Sequence, residues 1–144
     1  MNVYLSCVCK GEISASVVYK NGRCVAKNVV RVATALSNGA PAQYKNIIRA
    51  YTSGFRLLKH VIESDKTIDN IVVESNNSAF LSWINKGVTL PQYEEDFATM
   101  LEVLDEIPVK YECIYSKELR AKSYAKATCL TREKLSGLDD FLND

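Results

Sequence analysis

The sequence has little of several residue types on which common functional sites depend. Only one of its 144 residues is histidine, so His60 alone could supply the imidazole of a catalytic triad or a metal site. No run approaches the roughly 18 consecutive apolar residues of a membrane-spanning helix, and the N-terminus lacks the basic and apolar regions of a secretory signal. We therefore expect a cytoplasmic protein with no membrane partner.

The chain also lacks an excess of charge of one sign. Eighteen basic and seventeen acidic side chains give a formal net charge of +1, which excludes a strongly basic nucleic-acid binder of the histone kind. The distribution is uneven, because basic residues predominate from Lys117 to Lys134 and three aspartates lie in residues 136–144. The basic stretch predicts either contacts with a phosphate backbone or a solvated helix face.

Cysteine is present in an odd number, five. A chain of this size needs no disulfides to fold, so free thiols in a reducing compartment fit better than a disulfide framework. Cys7 and Cys9 share one face of an apparent strand, but their spacing is shorter than that of common zinc ligands. We expect no metal site and no cofactor.

Hydrophobic periodicity predicts one α/β domain over residues 1–135, followed by an acidic tail at residues 136–144. Alternating apolar residues predict a meander of three antiparallel strands, with Asn21 and Gly22 forming the turn between the second and the third. Apolar residues at spacings of three and four predict a helix from Ile47 to Ile62. The remaining elements are a strand at residues 71–74, helices at 79–85 and 94–107, a strand at 109–115 and a helix at 117–135.

This order of elements is the order of the ribonuclease H fold. Residues 3–11 resemble the first strand of that family, and residues 72–78 with Trp83 and Ile84 resemble its fourth strand and the following helix. The sequence therefore resembles the ribonuclease H-like superfamily over almost the whole chain. The resemblance predicts a five-stranded mixed sheet, three strands antiparallel and two parallel, flanked by helices.

The resemblance also implies four positions for catalytic acids, and none of them holds an acid here. Active members of the family cut the RNA strand of a hybrid with two divalent metal ions that four acidic residues bind. The matching positions are Ser6, Ala50 or Tyr51, Asn76 or less well Asn77, and residues 122–124, which include Lys122 and Tyr124. The nearest acid is Glu74, whose side chain would point the same way as Asn76 if Asn76 ended the strand. Two hard cations cannot be held by Glu74 alone.

The same substitutions replace an anionic metal site by a neutral or positive surface. A surface of this kind no longer repels a phosphate backbone and still offers hydrogen-bond donors. We expect a catalytically inactive ribonuclease H-like protein that binds nucleic acid, whether RNA, DNA or a hybrid, or a nucleic-acid-processing complex. The predicted contacts are Asn76, Asn77, Lys117, Arg120, Lys122 and Lys126. For Asn76 and Asn77 the sequence equally indicates capping of the next helix.

Two alternatives stay open. The first is an adaptor or inhibitor that binds a protein partner and uses the fold as a scaffold, as small viral proteins acting in a host cytoplasm often do. The second is a divergent nuclease that requires Mg²⁺ or Mn²⁺ and uses Glu74, Glu118 and one of Asp139 and Asp140. The sequence does not indicate the oligomeric state.

Overall fold

The computed structural model describes residues 2–10, 13–31 and 42–119. Within these ranges, one sheet and the helices beside it form a single α/β arrangement. Its elements are β1 (Asn2–Lys10), β2 (Ile13–Lys20), β3 (Arg23–Arg31), α1 (Ala42–Ser64), β4 (Asn70–Ser75), α2 (Ser78–Lys86), a 3-10 turn (Pro91–Tyr93), α3 (Glu94–Asp105) and β5 (Lys110–Tyr115). No helix in this part of the chain is long and apolar enough to cross a bilayer.

The sheet is mixed, with strand order β3-β2-β1-β4-β5. Strands β1 to β3 are antiparallel, and β4 is parallel to both β1 and β5. This topology confirms the five-stranded mixed sheet expected from the sequence. The β2–β3 turn is also confirmed, because Asn21 and Gly22 have φ angles of 53° and 74°, as a type I′ hairpin turn requires. The expected helix at residues 117–135 lies mostly outside the described residues.

Helix α1 packs across one face of β1 and β2. Its predicted apolar stripe is confirmed, since Ile48, Tyr51, Phe55 and Leu58 are buried. The main core lies between this face of the sheet and helices α1 and α3, where Phe97, Met100 and Leu104 are also buried. Burial of this apolar surface at roughly 25 cal/mol per Å² is the principal favourable term for the fold.

Gly54 allows α1 to approach β1 closely. A Cβ atom at this position would lie 2.6 Å from the sulfur of Cys7 and 3.2 Å from both methyl carbons of Leu5. Both distances are shorter than ordinary van der Waals contacts, so a larger side chain would push the helix from the strand. The same contacts show that Leu5 and Cys7 point from β1 towards α1.

An ion pair connects the end of β2 to the loop that precedes β4. Lys20, at the end of β2, donates a hydrogen bond to the carboxylate of Asp65 in the loop between α1 and β4. This bond, with further bonds from the hydroxyl and the backbone N–H of Thr67, lowers the pKa of Asp65 from 3.8 to about 2. The ionised carboxylate thus joins the hairpin to the entry of β4.

We expect Gly54→Ala to destabilise the protein. Overpacking costs about 1–3 kcal/mol, whereas alanine regains roughly 1 kcal/mol of helix propensity, so the net loss should reach at most about 2 kcal/mol. Chemical denaturation measures this free energy of unfolding. Adding Cys7→Ala removes the nearest clashing atom. The double variant should therefore lose less free energy of unfolding than the sum of the losses of the two single variants. Additive losses would contradict the proposed contact.

The Asp65 carboxylate should make stability depend on acid pH. Because its pKa is lower in the folded protein, its stabilising contribution is complete above the unfolded value of 3.8 and is lost as pH falls through about 2. Unfolding free energies of the native protein and Asp65→Asn should therefore converge over this interval. Lys20→Met should show the same weakened pH dependence. A pH dependence unchanged by Lys20→Met would contradict the assignment.

Candidate functional site

A pocket of about 190 Å³ lies near the carboxyl ends of the parallel strands β1 and β4, beside α1. Ligands of open α/β sheets commonly bind at this edge. Its described lining combines thiol, hydroxyl, amide and apolar side chains and includes no carboxylate. The lining residues are Cys7, Val8, Ile47, Ala50, Tyr51, Ser75, Asn76, Asn77 and Leu119.

Tyr51 forms the helix side of the pocket. Its ring stacks on Phe80 of α2, with centroids 4.4 Å apart and planes inclined by 22°. Its hydroxyl donates a hydrogen bond to the backbone carbonyl of Glu74. Burial raises the pKa of Tyr51 well above its ordinary value of 10.0, so the phenol stays protonated and neutral. Tyr51 thereby joins α1, α2 and β4 at the base of the pocket.

Cys7 and Ser75 form the strand side. The hydroxyl of Ser16 on β2 donates to the sulfur of Cys7 across 3.3 Å. The hydroxyl of Ser75 interacts with Tyr51 and accepts a 3.1 Å hydrogen bond from the backbone N–H of Asn77. These bonds hold the end of β4 in a fixed turn before α2, so this wall of the pocket is positioned in advance of any ligand.

The two asparagines after β4 have different environments. Asn77 is the N-cap of α2, because its side-chain oxygen accepts a 2.8 Å hydrogen bond from the backbone N–H of Phe80. The capping interpretation is confirmed for this residue. Asn76 is exposed and lines the pocket. It is therefore the asparagine whose amide is presented to solvent at the pocket rim.

Ser6 and Glu74 lie on the other face of the sheet. They are paired in the β1–β4 register and are 0% and 3% exposed. Since side chains alternate along a strand, Ser6 and Glu74 point away from the face to which Cys7 and Ser75 point. The sequence predicts that the side chains of Glu74 and Asn76 point the same way if Asn76 ends β4. The strand ends at Ser75 instead, so this condition is not met.

The structure therefore brings together some of the predicted site residues and separates others. Tyr51, Asn76 and Asn77 line one pocket with Ala50, whereas Ser6 does not reach it. Cys7, the neighbour of Ser6, lines the pocket instead. Sequence reasoning missed Cys7 because the orientation of β1 depends on which face α1 covers, and Gly54 was the one local signal of that contact.

The predicted basic contacts lie mainly beyond the described chain. Arg120, Lys122, Tyr124 and Lys126 fall outside the described residues, and their proposed roles stay predictions. Lys117 is exposed two residues after β5 ends. Leu119, two residues further, is buried and lines the pocket. The start of the basic stretch thus includes a residue, Leu119, that reaches the pocket wall.

His60 lies outside the pocket, on the exposed surface of α1. Its side chain is 81% exposed, and the nearest carboxylate, that of Glu63, is 3.9 Å away on the same helix. This geometry indicates a surface residue rather than a general base.

The donor set of the pocket does not fit a two-metal centre. Two divalent ions need several carboxylate oxygens to neutralise them, and the described lining supplies none. Across residues 2–10, 13–31 and 42–119, no group of three or more His, Cys, Asp or Glu side chains is arranged to hold a metal ion. The described lining of the pocket thus offers hydrogen-bonding groups and apolar contacts.

Comparison with solved structures identifies the fold. RNase H1 from Halobacterium salinarum superposes with a TM-score of 0.56 at 12% identity, covering 80% of this chain and 83% of that chain. The N-terminal RNase H domain of a Mycobacterium tuberculosis protein gives 0.59 at 9% identity, covering 82% and 88%. LC11-RNase H1 in complex with an RNA/DNA hybrid gives 0.51 at 19% identity, covering 81% and 86%.

The chain has a ribonuclease H-like fold. The strand order and parallel addition described above agree with these superpositions, and the resemblance noted in the sequence is confirmed at the level of the fold. No protein-family model matches the chain, and no curated protein matches it at a significant level. Identities below 20% show architecture alone.

Proposed function

We propose that this protein is a catalytically inactive ribonuclease H-like protein that binds nucleic acid at the pocket between β1, β4 and α1. The observation that carries the proposal is the composition of the pocket at the C-terminal ends of β1 and β4. Its described lining contains amide, hydroxyl and thiol groups and no acidic side chain. A polyanion can approach such a surface without the repulsion that a cluster of acids would impose.

The exposed amide of Asn76 is the principal polar contact in this proposal. Its NH₂ group can donate to a phosphate or sugar oxygen, and its carbonyl can accept from a 2′-hydroxyl or a base amine. Asn77 contributes by fixing the first turn of α2, because its side-chain oxygen is committed to the cap. Lys117 and the predicted basic contacts after it would add counter-ions to neighbouring phosphates.

An RNA/DNA hybrid is the first ligand to test. LC11-RNase H1, whose structure superposes on this chain, was solved in complex with one. We extend this class of ligand to the present chain because the two chains share the fold. Shape readout needs few base-specific groups, which agrees with the small number of polar side chains around the pocket.

The divergent-nuclease alternative is less consistent with the described geometry. It requires Glu74, which is buried on the opposite face of the sheet, and Glu118, which is exposed but does not line the pocket. Asp139 and Asp140 lie outside the described residues. No arrangement of the described acids directs two carboxylates to the pocket, so binding without cleavage is the function we propose.

A carboxylate introduced at the pocket rim should weaken binding. Asn76→Asp keeps the size of the side chain and adds one negative charge, so its affinity for a labelled hybrid should fall by about fivefold to tenfold. Asn21→Asp makes the same chemical change in the exposed turn at the other end of the sheet and should bind almost like the native protein. Fluorescence anisotropy at two salt concentrations measures both affinities.

Salt dependence provides the second criterion of this experiment. For the native protein, the logarithm of the association constant should fall linearly with the logarithm of the salt concentration. The slope should be roughly −0.7 to −0.9 per phosphate contact. Equal losses in Asn76→Asp and Asn21→Asp would contradict a contact at the pocket. No affinity for hybrid, duplex or single strands would contradict the proposal as a whole and favour a protein partner.

A further inference from the structure

Strand β5 forms one edge of the described sheet, where β4 is its one described neighbour. The backbone N–H of Ser116 donates a 2.9 Å hydrogen bond to the carbonyl of Ser75 at the end of β4. Because backbone N–H and C=O groups alternate in direction along a strand, the even-numbered residues of β5 face β4. The N–H and C=O groups of Tyr111 and Cys113 are therefore directed away from β4, towards the outer edge.

The side chains of β5 are apolar to a degree that is uncommon for an exposed edge. Tyr111, Ile114 and Tyr115 are 42%, 39% and 59% exposed. They are half of the exposed large hydrophobic side chains in the described part of the chain, although β5 has only six residues. An edge strand with exposed apolar side chains is a template for pairing with another strand.

Strand β3, at the opposite edge of the described sheet, has a different character. It contains three cations, Arg23, Lys27 and Arg31, and no acid, and its pairing with β2 includes a register shift. Like charges and bulges are the features that protect natural sheet edges from pairing. Strand β5 pairs with β4 in a continuous register and contains one cation and one acid. Of these two edges, β5 is therefore the one suited to receive a further strand.

Lys110 and Glu112 make β5 complementary to a second copy of itself. Both are exposed, and a spacing of two residues places them on one face of the sheet. If two copies of β5 pair antiparallel with Tyr111 opposite Tyr111, each Lys110 lies opposite Glu112 of the other copy. Tyr111 then forms the hydrogen-bonded pair, and the two Lys–Glu pairs occupy the closer, non-hydrogen-bonded positions. Opposite charges facing each other across two strands stabilise their pairing.

Other symmetric registers lack this complementarity. With Glu112 opposite Glu112, like charges face each other and Lys110 lies opposite Ile114. With Cys113 opposite Cys113, Glu112 lies opposite Ile114. Of these three registers, the one centred on Tyr111 places each of the two charges opposite a charge of the other sign.

We propose that β5 pairs antiparallel with β5 of a second copy of this chain, in the register centred on Tyr111. The two described sheets then form one continuous sheet around a twofold axis. Lys110, Tyr111 and Glu112 do not line the pocket between β1, β4 and α1, so the inference does not depend on nucleic-acid binding. Six residues span only about 20 Å, and their pairing buries less than the roughly 1,200 Å² of stable complexes. The dimer is therefore weak, with a dissociation constant of roughly 10–100 μM.

Sedimentation velocity over concentrations that bracket this constant tests for the dimer. The native protein should change from a species of 16.1 kDa to one of twice that mass. Tyr111→Pro removes the outward N–H, which a sheet edge tolerates, and should remain monomeric at every concentration. Tyr111→Phe retains the N–H and the ring, and it should dimerise like the native protein.

Exchanging the charges tests the register. Lys110→Glu places two acids opposite each other, and Glu112→Lys places two cations opposite each other, so each variant should dimerise about tenfold more weakly. A mixture of these two variants pairs every acid with a cation and should restore the native affinity. The double variant Lys110→Glu with Glu112→Lys should restore it too. Arg23→Glu changes the net charge as Lys110→Glu does, but in β3, and should have no effect.

The outcomes separate clearly. A dimer that Tyr111→Pro abolishes, that each single charge variant weakens and that their mixture restores supports the proposal. Restoration by mixing also shows that the single variants are folded. A monomer at every concentration would overturn the proposal. A dimer that Tyr111→Pro leaves unchanged, or that mixing the charge variants fails to restore, would overturn it as well.

Discussion

The close contact of α1 with β1 at Gly54 determines how the rest of the structure is arranged. Because no side chain separates the helix from Cys7 and Leu5, α1 crosses the strand at short range and carries Ala50 and Tyr51 to the end of β1. The pocket lies beside this crossing, and Ala50 and Tyr51 belong to its lining. One glycine thus positions the helix side of the candidate site.

Most of the fold could be predicted from the sequence, because its signals are local. Apolar residues at every second position identified the strands, and apolar residues three and four positions apart identified α1. The Asn21-Gly22 turn identified the hairpin. The antiparallel meander followed by parallel strands then left few topologies to consider. The side-chain orientation of β1 was harder to predict, because a shift by one residue exchanges Ser6 and Cys7 between the two faces.

The functional surfaces were predictable only in part. Asn76 and Asn77 could be located because they follow an apolar strand and precede a helix, and local chemistry indicated a cap. The absence of acids at the positions matched to the ribonuclease H family stays a sequence-based prediction, whereas the place of Glu74 on the opposite face of the sheet required the strand register.

Binding without cleavage is the central claim, and a product assay tests it most directly. A labelled RNA/DNA hybrid would be incubated with saturating protein in Mg²⁺ or Mn²⁺, and both the complex and the strand lengths would be resolved on gels. The account predicts a salt-sensitive complex in which both strands remain intact. Metal-dependent cleavage of the RNA strand that is lost in Glu74→Gln would contradict it.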